Sequence, residues 1–241
     1  MKSLESLVWG GKDTDGLFRL VRSEEVENCD LFKFLCNVSR KNVDGSWVVD
    51  EYELLNKLCA IGYLLHPIKS RHDIHKAVIS IGNEASGKSL LGCILQQLLP
   101  TVYFNAAVMD NCVPVMALNR VGAETRLVIM DDVIPIFNFE LLFTYITGSW
   151  PVYNGHNYDD LSVTLSPKLY ITKKTEFAGY GSSFSSRQWY LHFSDYYNNQ
   201  HKPVDDFGHL FVTEWDCEQW LLTYQLMNDC IRLYMDYSCV L

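Results

Sequence analysis

An α/β fold with a mainly parallel central sheet is predicted by three observations. Short β-branched runs alternate with helical stretches through the middle of the chain, the pattern of a sheet wound with helices. One such run, Ala77-Val78-Ile79-Ser80-Ile81, leads straight into Gly82-Asn83-Glu84-Ala85-Ser86-Gly87-Lys88-Ser89, which fits the phosphate-loop pattern G-x-x-x-x-G-K-S/T at every fixed position. A second run, Arg126-Leu127-Val128-Ile129-Met130, ends in the acids Asp131 and Asp132.

The loop sits in the context its chemistry needs. Leu90 to Leu99 reads as a helix stopped by Pro100, so strand, glycine loop and helix follow one another. Glycines let the backbone wrap closely round a polyphosphate, whose charge meets backbone N–H groups and the positive end of the helix. Residues Gly82 through Leu90 are therefore the expected nucleotide cradle. Lys88 would reach the β- and γ-phosphates, and the Ser89 hydroxyl would ligate Mg²⁺. A carboxylate at the tip of a neighbouring strand is where a metal-organising acid must sit. Asp131 would hold the metal through water and Asp132 would polarise the attacking water. An ordinary strand end followed by a turn would also place Asp there, but the preceding loop favours the first reading.

Composition limits the alternatives. The chain has 241 residues, 48% hydrophobic and 20% charged, enough for one large or two small globular domains. No apolar run approaches the ~20 residues of a membrane span, and the acidic start around Glu5 predicts no secretory leader. Eight cysteines are scattered without C-x-x-C spacing, which suggests neither zinc nor a redox motif. Cys59, Cys93 and Cys230 lie in apolar runs and are expected to be buried thiols, as in a cytoplasmic protein. A net charge of −9 and a pI near 5.2 argue against a broad basic surface for nucleic acid. They leave room for a few basic groups concentrated in the channel of a ring.

Three segments are expected: a helical N-terminal subdomain over 1–70, the phosphate-loop core over 71–200, and a C-terminal helical segment over 201–241. Asp30–Val38 and Glu51–Leu65 have helical periodicity, with Asp44-Gly45 as a turn between them. Thr101–Phe104 reads as a strand, and 106–119 as partly helical. Phe139–Thr147 reads as a short helix ended by Gly148. Trp150–Tyr153 and Ser162–Leu165 are expected to pair as a hairpin around Asn154-Gly155-His156-Asn157. Pro167–Thr172 is a core strand followed by Lys173 and Lys174. A loop over Ser182–Ser186 leads into Arg187 and a strand over Gln188–Phe193, and Thr213–Tyr237 is one amphipathic helix or a pair.

These pieces, in this order, resemble the helicase part of superfamily 3 within the AAA+ class. The chain is similar to primase-helicase proteins of phages, plasmids and integrated elements of Bacteroides-like bacteria. The segments that carry the resemblance are Ile61-Gly62-Tyr63-Leu64-Leu65-His66, the phosphate loop, Met130-Asp131-Asp132, Gly148-Ser149-Trp150-Pro151-Val152, Ser166 to Thr172, Ser186-Arg187, Phe193-Ser194-Asp195-Tyr196-Tyr197-Asn198 and Asp205-Asp206-Phe207-Gly208. They cover roughly residues 50 to 236. The resemblance implies ATP and Mg²⁺ at Lys88, Ser89 and Asp131. It implies Arg187 as an arginine finger acting on the neighbouring subunit's γ-phosphate, and a ring homo-oligomer, a hexamer. It also implies single-stranded DNA in the channel against the hairpin, at Asn154 and His156, and a primase or other replication protein as partner.

The chain departs from that pattern at the hairpin, at the sensor and at its second acid, Asp132, which is shorter than the Glu common in related ATPases. The hairpin tip offers only His156 as a potential cation, and Asp159 and Asp160 follow it. The polar sensor position, commonly Asn, is replaced by the sequence Thr172-Lys173-Lys174, so Thr172 and Lys174 are the sensor-like candidates. A lysine cannot mimic an amide, but it can contact phosphate. A DNA-translocating ATPase is the leading reading. A nucleotide-controlled assembly module without unwinding is the alternative, and a small-molecule kinase with a lid near Arg187 a third.

Overall fold

The elements follow the alternation of β-branched and amphipathic runs. The computed structural model describes residues 9–12, 18–20, 24–69, 75–108, 120–153 and 156–237. The chain begins with β1 (Trp9–Lys12), β2 (Phe18–Leu20), α1 (Glu24–Asn28), α2 (Asp30–Val38), β3 (Arg40–Val43), β4 (Ser46–Val49) and α3 (Glu51–Leu65). Next come β5 (Ala77–Ile81), α4 (Lys88–Leu98), β6 (Thr101–Asn105), β7 (Leu127–Asp131), α5 (Phe143–Thr147), β8 (Trp150–Tyr153) and β9 (Tyr158–Leu161). The last elements are β10 (Lys168–Lys173), α6 (Ser182–Ser185), β11 (Gln188–His192), α7 (Pro203–Phe207) and α8 (Cys217–Tyr237). They divide into two compact units, residues 66–193 and residues 1–65 with 194–241.

The unit over 66–193 is built on a five-stranded sheet in the order β11-β5-β10-β7-β6, every neighbouring pair parallel. All five residues of β5 are buried, as a strand covered on both faces must be, whereas β6 at the edge is mostly open. Ile79, Val128, Met130 and Ile171 from the central strands meet Phe139, Ile146 and Trp150 in one apolar core. Helix α4 stops where expected: Leu99 turns extended at φ −131° ahead of Pro100, whose ring excludes a helical residue before it. The strand ending in Lys173 is thus inserted between the phosphate-loop strand and the acid strand.

The first and last stretches of the chain, read from the sequence as separate segments, form one unit. In it α3 packs along α8, a single 21-residue helix. Gly62 permits this: a Cβ there would lie 1.9 Å from the Cys230 carbonyl oxygen. The Asp44-Gly45 turn joins two strands, β3 and β4, absent from the sequence reading. Both turn residues have positive φ (51° and 84°), which suits the twist of a two-residue hairpin.

Other expectations are corrected. The second hairpin arm is Tyr158–Leu161, with Tyr153 opposite Tyr158, and not 162–165. Ser162 to Ser166 form a turn instead. Ser182–Ser185 is a short helix rather than a loop. Cys93, on α4, is exposed, while Cys59 and Cys230 are buried. Of the stretch 106–119, Ala106–Val108 is a 3-10 turn and residues 109–119 lie outside the described residues. No helix among the described residues is long and apolar enough to cross a membrane.

Candidate active site

The phosphate loop emerges from the C-terminal end of β5, beside the C-terminal ends of β10 and β7. Its backbone requires its glycines. Gly82 has φ 153°, and a Cβ there would lie 2.7 Å from the Phe193 carbonyl oxygen. Gly87, which caps α4, has φ 97°. Between them Ala85 takes φ 60°, a left-handed conformation that costs a non-glycine residue about 1–2 kcal/mol and turns successive N–H groups to one side. Lys88 folds back across the mouth of this cradle. Its ammonium donates to the carbonyls of Gly82 (2.8 Å) and Asn83 (2.5 Å) and to Ser86 Oγ (3.2 Å).

The first turn of α4 is pinned to the sheet by a residue that sequence reading misses. Tyr170, in the buried strand β10, donates its hydroxyl to the Lys88 carbonyl at 2.8 Å and accepts from Ser80 Oγ at 2.8 Å. Burial pushes the Tyr170 phenol well above its ordinary pKa, so it stays a neutral donor. Gly92 makes room for the ring: a Cβ there would be 3.2 Å from Tyr170 Cε1.

Asp131 is the centre of the site. Three hydroxyls from three elements converge on its carboxylate: Ser89 (2.7 Å) and Thr172 (2.6 Å) donate to Oδ1, and Tyr103 (2.9 Å) donates to Oδ2. Burial, with the bond and the charge of Asp131, pushes the Tyr103 phenol up to about 12. Thr172 also accepts the Asp132 N–H at 2.7 Å, and its carbonyl accepts the Val133 N–H at 2.9 Å. These bonds hold Asp132 at φ 57°, a conformation that β-branched or bulky residues avoid and Asp tolerates. Its side chain is exposed beside Asp131.

Among the described residues no three His, Cys, Asp or Glu side chains come together to hold a metal by themselves. Ser89 Oγ and the Asp131 carboxylate supply two oxygens 2.7 Å apart, next to a phosphate cradle. That donor set fits Mg²⁺, which takes one or two protein ligands, substrate phosphates and several waters.

The sensor-like residues divide by strand parity. Thr172 and Lys174 share the side facing the loop, while Lys173 turns to the opposite side, 5.2 Å over the Phe177 ring, where burial lowers its pKa. Lys174 Nζ is 3.8 Å from Glu84 Oε1, an exposed pair at the tip of the loop.

Arg187 is not brought to this cluster. It precedes β11, and its carbonyl accepts the Ala77 N–H at 2.9 Å, at the N-terminal end of β5. The phosphate loop leaves the other end, about 16 Å away for five residues of strand. The guanidinium donates to the Ser183 carbonyl and Oγ, both at 2.6 Å, and lies 4.7 Å over the Phe143 ring. Asn154 lies outside the described residues. His156 and Asn157 are exposed at the end of the β8–β9 hairpin, followed by exposed Asp159 and Asp160.

No known protein-family profile matches the chain, and no curated protein matches it in sequence. Similar solved structures include the C-terminal region (305–718) of NrS-1, at 15% identity and a TM-score of 0.44, covering 97% of this chain and 52% of that one. A RuvB variant of Thermotoga maritima is similar at 16% identity and a TM-score of 0.37, over 63% of this chain and 48% of that one. JCV helicase, bound to a thiazolopyridine-bearing acetamide, is similar at 15% identity and a TM-score of 0.39, over 89% and 61%. The chain thus spans about half to three-fifths of the length of these structures. The parallel sheet, the inserted strand and the loop geometry together make this a P-loop NTPase fold of the AAA+ type.

Proposed function

We propose that the chain is the ATP-hydrolysing motor of a superfamily 3 type helicase or translocase, working as a ring oligomer on single-stranded DNA in the replication of a phage or mobile element. The observation that carries this reading is the convergence of Ser89, Tyr103 and Thr172 on Asp131, directly beside the cradle crossed by Lys88.

The residues act in a simple order. The N–H groups of 82–88 receive the phosphates, and Lys88 exchanges the carbonyls of Gly82 and Asn83 for β- and γ-phosphate oxygens. Ser89 and Asp131 would hold the divalent cation, which when bound would neutralise phosphate charge. Tyr103 and Thr172 keep the Asp131 carboxylate aimed. Asp132, fixed through its backbone by Thr172, orients the attacking water. Lys174 exchanges Glu84 for the terminal phosphate, the role left by the missing amide sensor. Arg187 serves a neighbouring subunit: at the far end of its own sheet it cannot reach its own loop, and an arginine supplied in trans makes hydrolysis depend on assembly.

The alternative, a nucleotide-controlled assembly module without unwinding, is favoured by one observation, the acidic hairpin end with Asp159 and Asp160 exposed beside His156. Phosphate release from ATP, with and without single-stranded DNA, separates the two. The motor reading expects DNA to accelerate turnover and expects Lys88→Ala and Arg187→Ala each to abolish it. ATP binding that depends on Lys88, with no turnover under any DNA condition, would replace the motor with the assembly module.

A further inference from the structure

The Asp195-Tyr196-Tyr197-Asn198 and Asp205-Asp206-Phe207-Gly208 stretches play no part in the ATP site, yet both line a polar cavity of about 420 Å³ in the unit formed by residues 1–65 and 194–241. The volume lies within the ~300–1,000 Å³ range of small-molecule sites. Two acids and two cations face it: Asp30 and Asp206, Lys33 and Arg40.

The acids are already engaged. Asp206 Oδ1 is paired with His201 Nε2 at 2.8 Å, and Oδ2 accepts from Tyr197 OH at 3.0 Å and Asn37 Nδ2 at 3.3 Å. The bond to Asp206 raises the pKa of His201, which favours its charged form. Asp30 Oδ2 is paired with His209 Nε2 at 2.8 Å.

The cations are not. Arg40 Nε is buried with no hydrogen-bond partner among the described residues, and the guanidinium rests 4.6 Å over the Tyr196 ring. Lys33 is exposed one turn from Asn37 on α2. A buried guanidinium N–H without an acceptor is costly unless an oxyanion completes it, and the planar fork suits phosphate or carboxylate. The hairpin adds a stacking surface. Arg40 and Trp47 stand on the same side of the β3–β4 ribbon, since Arg40 pairs with Val49 and Asn42 with Trp47. Trp47 meets the Tyr196 ring edge-on at 5.7 Å and is 38% exposed.

We propose that this cavity is a second nucleotide-unit site, with a phosphate held by Arg40 and Lys33 and its base stacked on Trp47. The cavity is larger than one oxyanion needs, and cations beside an open aromatic face are what a single-stranded nucleic acid requires. The site is independent of the phosphate loop and stands whether or not ATP is hydrolysed there.

The test uses the full chain carrying Lys88→Ala, titrated at low salt with fluorescein-labelled oligothymidylate, with unlabelled dTMP as competitor. Arg40→Ala is expected to weaken binding about tenfold and to lower the log–log salt slope by about 1. Trp47→Ala is expected to cost about fivefold or more, and Arg40→Lys to fall between Arg40→Ala and the parent. Lys41→Ala, whose ammonium is tied to Asp50 at 3.0 Å, serves as the control and is expected to bind as the parent does. Circular dichroism confirms that each variant is folded. In the otherwise intact chain the same substitutions leave ATP binding at the phosphate loop unchanged. Displacement by dTMP would show that the site also takes free nucleotides, and its failure would make the strand the ligand; both sustain the site. Oligonucleotide affinity unchanged by Arg40→Ala and Trp47→Ala, or reduced no more than by Lys41→Ala, would overturn it.

Discussion

The two ends of the parallel sheet are built on opposite electrostatic terms. At the C-terminal ends of the strands, Asp131 and Asp132 stay partly or fully open to solvent, and hydroxyls of Ser89, Tyr103 and Thr172 hold the Asp131 carboxylate. At the N-terminal ends two cations are taken out of water. Lys168 opens β10 at 3% exposure and Lys69 lies nearby at 2%. Lys69 Nζ donates to the Tyr145 carbonyl at 2.6 Å and Lys168 Nζ to the His66 carbonyl. Burial pushes both down to about 7, with the charge of Lys69 contributing to the shift of Lys168. One end can exchange its hydrogen bonds for a ligand's. The other has committed these two lysines to holding the segment from His66 and the 143–147 helix against the sheet.

Substitutions at the two ends should therefore separate catalysis from stability. The largest effect is expected for Asp131→Asn, which keeps the shape but removes the charge on which three hydroxyls converge: turnover should fall about 100-fold or more with little change in thermal stability. A comparable loss from Lys168→Met in a still folded protein would break the comparison.

The next effect concerns pH. The folded pKa of Lys69 and of Lys168 is about 7, against 10.5 for an exposed lysine. Between these values the unfolded chain binds more protons than the folded one, so stability from these groups rises with pH from about 7 towards 10.5. Below about pH 7 both states carry the charge and the contribution is flat and least favourable. The urea midpoint should rise between pH 7 and 9, by about 2 kcal/mol of stability for each of the two lysines, and Lys168→Met should remove about half of that rise. A midpoint that falls over this window in the parent and not in the variant would contradict the buried-cation account.

Smaller effects sharpen the picture of Asp131. Thr172→Val removes the donor to Asp131 and the acceptor of the Asp132 N–H, and should lower kcat about tenfold with ATP affinity nearly unchanged. Tyr103→Phe removes a single bond, more exposed than that of Thr172, and should cost only about threefold. Equal losses would mean that the hydroxyls act only by packing.

Much of this architecture was legible in local pattern. The loop residues, the fully apolar run of β5 and the stop at Pro100 act through neighbours in sequence, and a reader of the chain finds them. Asp131 is legible because a charge at the end of an apolar run is conspicuous. Tyr103 and Tyr170 were not, because their roles depend on strand order and register: Tyr103 lies opposite Ile129, two residues from Asp131 and on its side of the sheet. The left-handed conformation of Ala85 leaves no mark in residue type, and that of Asp132 is held by bonds to Thr172, 40 residues away in the chain. The β3–β4 hairpin was hidden because its strands are short and mostly exposed, with no burial pattern to read. The distance from Arg187 to its own loop follows only from the parallel pairing of β11 with β5.

That distance leads to the most direct measurement of the central claim, an ATP site completed by the arginine of another copy. Lys88→Ala and Arg187→Ala chains, each without turnover alone, are mixed in equal amounts and phosphate release is followed. If the site is shared, interfaces that pair an intact Lys88 with an intact Arg187 form only in the mixture, and turnover returns, up to about a quarter of the parent rate for random pairing. Turnover by Arg187→Ala alone, or a mixture as inactive as its components despite co-assembly, would contradict the shared site.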